Sequence, residues 1–267
     1  MSCALKLSCS ELTVGFASPV AEKLALCVTQ GEVLVIAGPN GAGKSSLLKT
    51  FARLLKPMSG SVNLGGRDIW SFTPCEFAKY VAYVPQQFSQ SLVLTVKELI
   101  ALGRNPHQNW WQWQPSKEDE GALEEAIAAT GLEGLEEKML GELSGGERQR
   151  AMIAMALAQK PSFLLLDEPT SHLDFKHQLE LLELIGSLSK KNIAIIAVLH
   201  DLNFAYRVGT RIAILEKRPA QASIIAADGD PECVLTAETL RRVFHVEMQV
   251  LTPEDGGKFF NLSRIGK

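Results

Sequence analysis

Cysteine is scarce and scattered: Cys3, Cys9, Cys27, Cys75 and Cys233 are the five in the chain, and no two form a C-x-x-C pair. An odd, widely spaced set excludes a disulfide framework and a cysteine-rich zinc site, and it suits reduced thiols in a cytosol. Long apolar runs are missing too. The longest, Ile193 to Leu199, falls far short of the roughly 18–20 residues a bilayer-spanning helix needs, so the chain is not expected to be membrane-embedded itself. Met1 to Lys6 holds no basic segment followed by an apolar one, so no signal region is expected. Charge of one sign is also lacking. With 27 basic and 30 acidic residues mixed to a net −3, there is no basic stripe for DNA or RNA. A length of 267 residues allows a substantial core, organised as one domain with a subdomain or as two domains.

What the chain does have is Gly38-Pro39-Asn40-Gly41-Ala42-Gly43-Lys44-Ser45, which fits G-x-x-x-x-G-K-S/T at every fixed position. Val33 to Ala37 before it is an apolar run of the kind that makes a strand buried on both faces. Ser45 to Leu55 after it has Leu47, Leu48, Phe51, Leu54 and Leu55 at helical spacing. In this strand–loop–helix context the glycines turn backbone N–H groups inward, and the helix N-terminus adds its dipole, so a polyphosphate is held. Lys44 is expected to reach the β- and γ-phosphates, Ser45 to bind Mg²⁺, and Ser46 to belong to the same nucleotide-binding set.

The rest of the chain alternates in the same manner. Leu5 to Val28 reads as a β-region, and Ser61 to Gly66 and Val81 to Val84 as short strands. From about residue 87 to 155 the pattern turns helical, with capping boxes at Thr95/Glu98 and Ser116/Asp119 and a stop at Gly131. Phe163 to Leu166 is a buried strand, followed by a helix around His177 to Lys190 and a second buried strand at Ile193 to Leu199. Arg211 to Leu215 and Ala222 to Ala226 read as an antiparallel pair. Strand–helix–strand alternation predicts an α/β fold with a mainly parallel sheet.

Parallel sheets gather their chemistry at the carboxyl ends of strands, where Asp167-Glu168 falls. Asp-Glu-Pro alone is most often a polar loop start. Beside a phosphate loop, Asp167 suits a place in the Mg²⁺ site and Glu168 the general base for an attacking water. Leu143-Ser-Gly-Gly-Glu147 is a helix start in which Ser144 caps and Glu147 reaches back, worth about 1 kcal/mol as structure alone. Consecutive glycines at Gly145 and Gly146 are poor helix formers, each costing up to ~1 kcal/mol. They make sense where an anion must approach exposed N–H groups.

Taken in order, Gly38 to Ser45, Gln86, Leu143 to Glu147, Phe163 to Glu168, Ser171-His-Leu-Asp174 and His200 resemble the motifs of an ATP-binding cassette (ABC) transporter ATPase over nearly the full length. The resemblance implies a P-loop NTPase (RecA-like) α/β core, about 1–86 and 156–226, with an N-terminal antiparallel β region. It also implies an ABC α-helical subdomain at about 87–155 and a small C-terminal segment at 227–267. Two copies are expected to stack head to tail on ATP, with Ser144, Gly145 and Gly146 of one touching the nucleotide of the other. The family likeness further places Gln86 on Mg²⁺ and the attacking water, Asp174 between the two sites, His200 on the γ-phosphate and Phe16 on adenine. Three of these types are commonest elsewhere: glutamine in solvated loops, histidine at strand ends, phenylalanine in cores. His172 stands where the family often has a small residue, and nothing in the sequence explains it.

Leu94 to His107, Val198 to Asn203, Asp230 to Thr236 and Val243 to Val246 look like importer ATPases serving siderophores, haem and cobalamin. Zinc and manganese importer ATPases share part of this text. The expected partners are a transmembrane permease and, indirectly, an extracytoplasmic substrate-binding protein, with the chain on the cytoplasmic face of the membrane. A soluble ABC clamp or assembly factor is the rival from another class, though tandem cassettes and coiled-coil insertions are absent. A P-loop phosphotransferase is a third, opposed by Leu143 to Glu147 and His200. Trp110, Trp111 and Trp113 read equally as a permease contact or as packing. Lys217 to Ala222 in place of a tight turn predicts a long late hairpin.

Overall fold

The computed structural model describes residues 4–86, 93–108, 115–171, 173–251 and 259–265; Trp110, Trp111, Trp113 and His172 lie outside the described residues. The chain opens with β1 (Lys6–Gly15), β2 (Pro19–Thr29), β3 (Val33–Ala37), α1 (Lys44–Phe51), β4 (Ser59–Leu64) and the short β5 (Arg67–Asp68). α2 (Pro74–Ala78) and β6 (Val81–Val84) lead to three helices, α3 (Val96–Leu102), α4 (Lys117–Thr130) and α5 (Gly145–Ala158). Alternation resumes with β7 (Phe163–Asp167), α6 (Phe175–Lys190), β8 (Ala194–Val198), α7 (Leu202–Val208) and β9 (Arg211–Glu216). β10 (Ile224–Gly229), α8 (Pro231–Val234), α9 (Ala237–Phe244), β11 (Val246–Leu251) and β12 (Phe259–Ile265) follow.

The central sheet has the order β10-β9-β3-β8-β7-β6. It is parallel throughout except for the antiparallel edge strand β10. Its strands alternate faithfully between two cores. Val33, Val35, Leu164, Leu166, Ile195 and Ala197 pack on the side of the helices α3, α5 and α6. Leu34, Ile36, Phe163, Leu165, Ile196 and Val198 pack on the opposite side, against α1 and the antiparallel sheet β2-β1-β4-β5. Burial on both faces is why these strands read as unbroken apolar runs.

The expected capping boxes close α3 at Thr95 and Glu98, α4 at Ser116 and Asp119, and α5 at Ser144 and Glu147. Each satisfies two N–H groups that the first turn leaves without partners. Gly131 ends α4. α1 is shorter than its apolar spacing predicts. Arg53 turns left-handed (φ 60°), and the N–H groups of Leu54 and Leu55 both return to the Lys49 carbonyl, so the helix closes and Leu54 is left exposed. The late hairpin is long as expected, β9 ending at Glu216 and β10 starting at Ile224. Arg218 clamps its turn through the Ala222 carbonyl and Glu22.

Cys9, Cys27, Cys75 and Cys233 are free thiols, and burial pushes the Cys9 thiol up to about 12. Among the described residues no helix is long and apolar enough to cross a membrane.

Candidate active site

Neighbouring parallel strands deliver the site. β6 runs out toward Gln86, β7 into Asp167 and Glu168, β8 toward His200 and β3 into Gly38, and they lie side by side in the sheet. All four segments therefore meet at one carboxyl edge. Gly43 caps α1 in the left-handed region (φ 93°) with no side-chain bond, and a Cβ there would stand 3.2 Å from both Val20 and Ala21. Only glycine fits this turn without strain.

Lys44 is buried, and its ammonium donates to the carbonyls of Gly38 and Pro39 at 2.8 and 3.0 Å, closing the loop on itself. Burial lowers its pKa, opposed by the nearby Glu168 and Asp167 carboxylates. Ser45 donates to Asp167 Oδ1 at 2.8 Å across the gap between α1 and β7. Two hard oxygens so paired fit Mg²⁺, which takes one or two side-chain ligands and completes its shell with water and substrate phosphates.

Glu168 adopts a left-handed backbone (φ 49°), of the kind that costs about 1–3 kcal/mol and gathers at functional sites. The turn aims its carboxylate at the loop. His200 Nε2 lies 2.5 Å from one oxygen, and Gln86 Nε2 and Ser171 Oγ donate to the other at 2.5 and 3.3 Å. A cleft of about 380 Å³ opens here, lined by Asn40, Gly41, Gly43, Lys44, Ser45 and Ser46 together with Val20, Gln86, Glu168 and His200.

The remaining expected residues stand apart. Phe16, in the turn between β1 and β2, is 72% exposed and not on the cleft wall, so its aromatic face is open to solvent. Ser144, Gly145 and Gly146 form the tip of α5, and Asp174 caps α6; none lines this cleft. Backbone and side-chain bonds from Ser144 hold the Glu147 carboxyl below its usual range.

Sequence reasoning missed Val20 and Tyr83, and it named Ser171 within a motif without giving it a role. The Tyr83 hydroxyl donates to Asp167 Oδ2 at 3.1 Å, and burial together with that carboxylate pushes its pKa up. A tyrosine inside a buried strand needs such a partner, and this was the available signal. Tyr83→Phe is expected to lower unfolding free energy by about 1–3 kcal/mol, since it leaves a buried carboxylate oxygen short of a donor. Urea unfolding of the two proteins checks this, and equal midpoints would remove the assignment.

The ABC transporter family matches residues 21–171, which include the phosphate loop, Glu168 and the tip of α5. The chain belongs to this family. Relatives of this ABC ATP-binding chain include the petrobactin import ATP-binding protein FpuC of Bacillus anthracis, 44% identical over 90% of the chain and 86% of the relative. The ferric enterobactin transport ATP-binding protein FepC of Escherichia coli is 40% identical over 92% of the chain and 89% of the relative. Among solved structures, one described as an inward-facing conformation of a metal-chelate type ABC transporter superposes with a TM-score of 0.82 at 27% identity, covering 98% of both chains. The dimeric structure of MJ0796, a bacterial ABC transporter cassette, superposes with a TM-score of 0.71 at 27% identity over 84% of this chain and 98% of that one. This ABC chain thus binds ATP, and its activity is ATP hydrolysis coupled to transport.

Proposed function

We propose that the chain is the motor of an importer for an iron-siderophore, haem or cobalamin-type chelate, working through a separate transmembrane permease. The observation that carries the catalytic half is the Glu168 carboxylate, held by His200 and Gln86 beside the phosphate loop. It is oriented to take a proton from water as that water attacks the γ-phosphate. Lys44 and the loop N–H groups bind the phosphates. Ser45, Asp167 and Gln86 would hold Mg²⁺, which supplies charge neutralisation on the β- and γ-oxygens.

Ser144, Gly145, Gly146 and Asp174 act in trans. Their absence from the cleft of their own chain, together with the dimeric likeness, supports a head-to-tail pair that encloses two nucleotides. Closure of that pair moves the permease from the cytoplasmic face of the membrane, and phosphate release reopens it. An extracytoplasmic binding protein delivers the chelate on the other side. Phe16, open to solvent at its turn, stacks on adenine. The chelate class rests on the relatives named for petrobactin and enterobactin; zinc or manganese import is the second reading.

The test is purification from membranes followed by transport. The chain is expected to co-purify with a polytopic membrane protein. Vesicles holding both should accumulate a ferric chelate only when MgATP is on the side of this chain. ATP hydrolysis without any membrane partner or uptake would turn the assignment toward a soluble clamp, and uptake of free zinc or manganese would select the second reading.

A further inference from the structure

The tips of α5 and α6 meet through one side chain. His177 Nδ1 lies 2.7 Å from Asp174 Oδ1, and the His177 backbone N–H donates to the same oxygen at 2.9 Å. The opposite edge of the imidazole covers Gly146. A Cβ built on Gly146 would stand 2.3 Å from Cδ2, 2.5 Å from Cγ and 2.9 Å from Cβ of His177. The last of these atoms is fixed by the backbone of α6, so no rotation of the ring makes the room. One turn on, Arg150 of α5 is bonded to Glu180 of α6 at 2.5 Å. Gly146 and Arg150 are four residues apart and His177 and Glu180 three apart, so both contacts join the same two helix faces.

The ring contact gives Gly146 a reason of its own to be glycine, beside the approach of an anion to the helix tip. It also joins the cap of α6 to the first turn of α5, one turn before the Arg150–Glu180 pair. On the reading given under the proposed function, these are the two segments that reach the partner copy. We propose that His177 is a positioning residue. It sets the spacing between the Asp174 loop and the Gly146 tip, so that both meet the partner's nucleotide together.

The experiment uses the full chain carrying Glu168→Gln and measures the protein concentration at which MgATP drives dimer formation, by light scattering after gel filtration. His177→Ala is expected to raise that concentration by about tenfold, within the range usual for coupling between sites. His177→Asn, which keeps a donor toward Asp174 on a smaller group, should recover most of the loss. Gly146→Ala should weaken the dimer at least as much as His177→Ala. The double variant Gly146→Ala/His177→Ala should lose less than the sum of the two single losses, because the Cδ2 and Cγ that the added methyl strikes are gone and only the Cβ at 2.9 Å remains. Melting temperatures of the monomers show which variants are folded. If Gly146→Ala is not, the Ala and Asn variants of His177 carry the test. Additive losses in the double variant, or a His177→Ala protein that dimerises like its parent, would overturn the proposal and leave the transport reading intact. A parent protein that stays monomeric in MgATP would overturn the nucleotide sandwich, and the role of His177 with it.

Discussion

Glu168→Gln is expected to lower ATP turnover by about 10²- to 10⁴-fold, the usual worth of a positioned general base, while ATP still binds. The amide keeps the size of the carboxylate but cannot accept a proton from water. The surroundings of Glu168 argue that the loss is chemical and not structural. Gln86 and Ser171 meet one oxygen and His200 the other, all from the ends of separate segments, and an amide can still bond to most of them. The bonds that set Lys44 and Ser45, to the Gly38 and Pro39 carbonyls and to Asp167, do not involve Glu168. Binding and catalysis therefore separate, and the closed nucleotide-bound dimer should accumulate. Phosphate release, nucleotide binding and dimer mass measured on one preparation check all three parts. A variant that turns over ATP at the parent rate would show that another group takes the proton.

Much of this site can be read along the chain because its pieces are local. Gly38 to Ser45 needs only a strand before it and a helix after it, and both were visible as apolar patterns. The caps at Thr95, Ser116 and Ser144 are likewise four-residue signals, and each is formed. The parallel sheet follows from two-sided apolar strands. Contacts closed by strands or helices distant in sequence were not visible. Tyr83 reaches Asp167 from 84 positions away, and Val20 reaches the cleft only because β2 folds over Gly43. Leu54 departs from its pattern for a different reason. Its spacing from Leu47 and Phe51 is helical, but a left-handed Arg53 ends the turn first, and nothing in an arginine announces that. Along the chain the glycine pair at the α5 tip shows only its open N–H groups. The imidazole that lies on Gly146 belongs to another helix.

Arg104 is the residue whose loss should cost the fold most. It lies two residues past the end of α3 and is 1% exposed, a guanidinium sealed among three helices. Its Nε donates to Asp119 Oδ1 at 2.7 Å at the start of α4, and its Nη1 donates to the Ala158 carbonyl at 2.8 Å at the end of α5. Asp119 spends its second oxygen on the backbone and hydroxyl of Ser116, at 3.0 and 2.8 Å. Burial pushes the Asp119 carboxyl up, but Arg104 and Ser116 outweigh it and hold the group at about 2. Because the folded value is depressed, this contribution is complete above the ordinary carboxylate value and fades as pH falls toward about 2. Arg104→Ala is expected to lower unfolding free energy at neutral pH by about 3–5 kcal/mol, since it strands a buried carboxylate and opens a void. Arg104→Met with Asp119→Asn should recover much of that, because burying a neutral pair avoids the stranded charge. Urea unfolding at neutral pH, and again in acid where the deficit should narrow, measures both. A single variant within about 1 kcal/mol of the parent would mean that water reaches Asp119 once the arginine is gone. The end of α5 would then be held by its apolar packing.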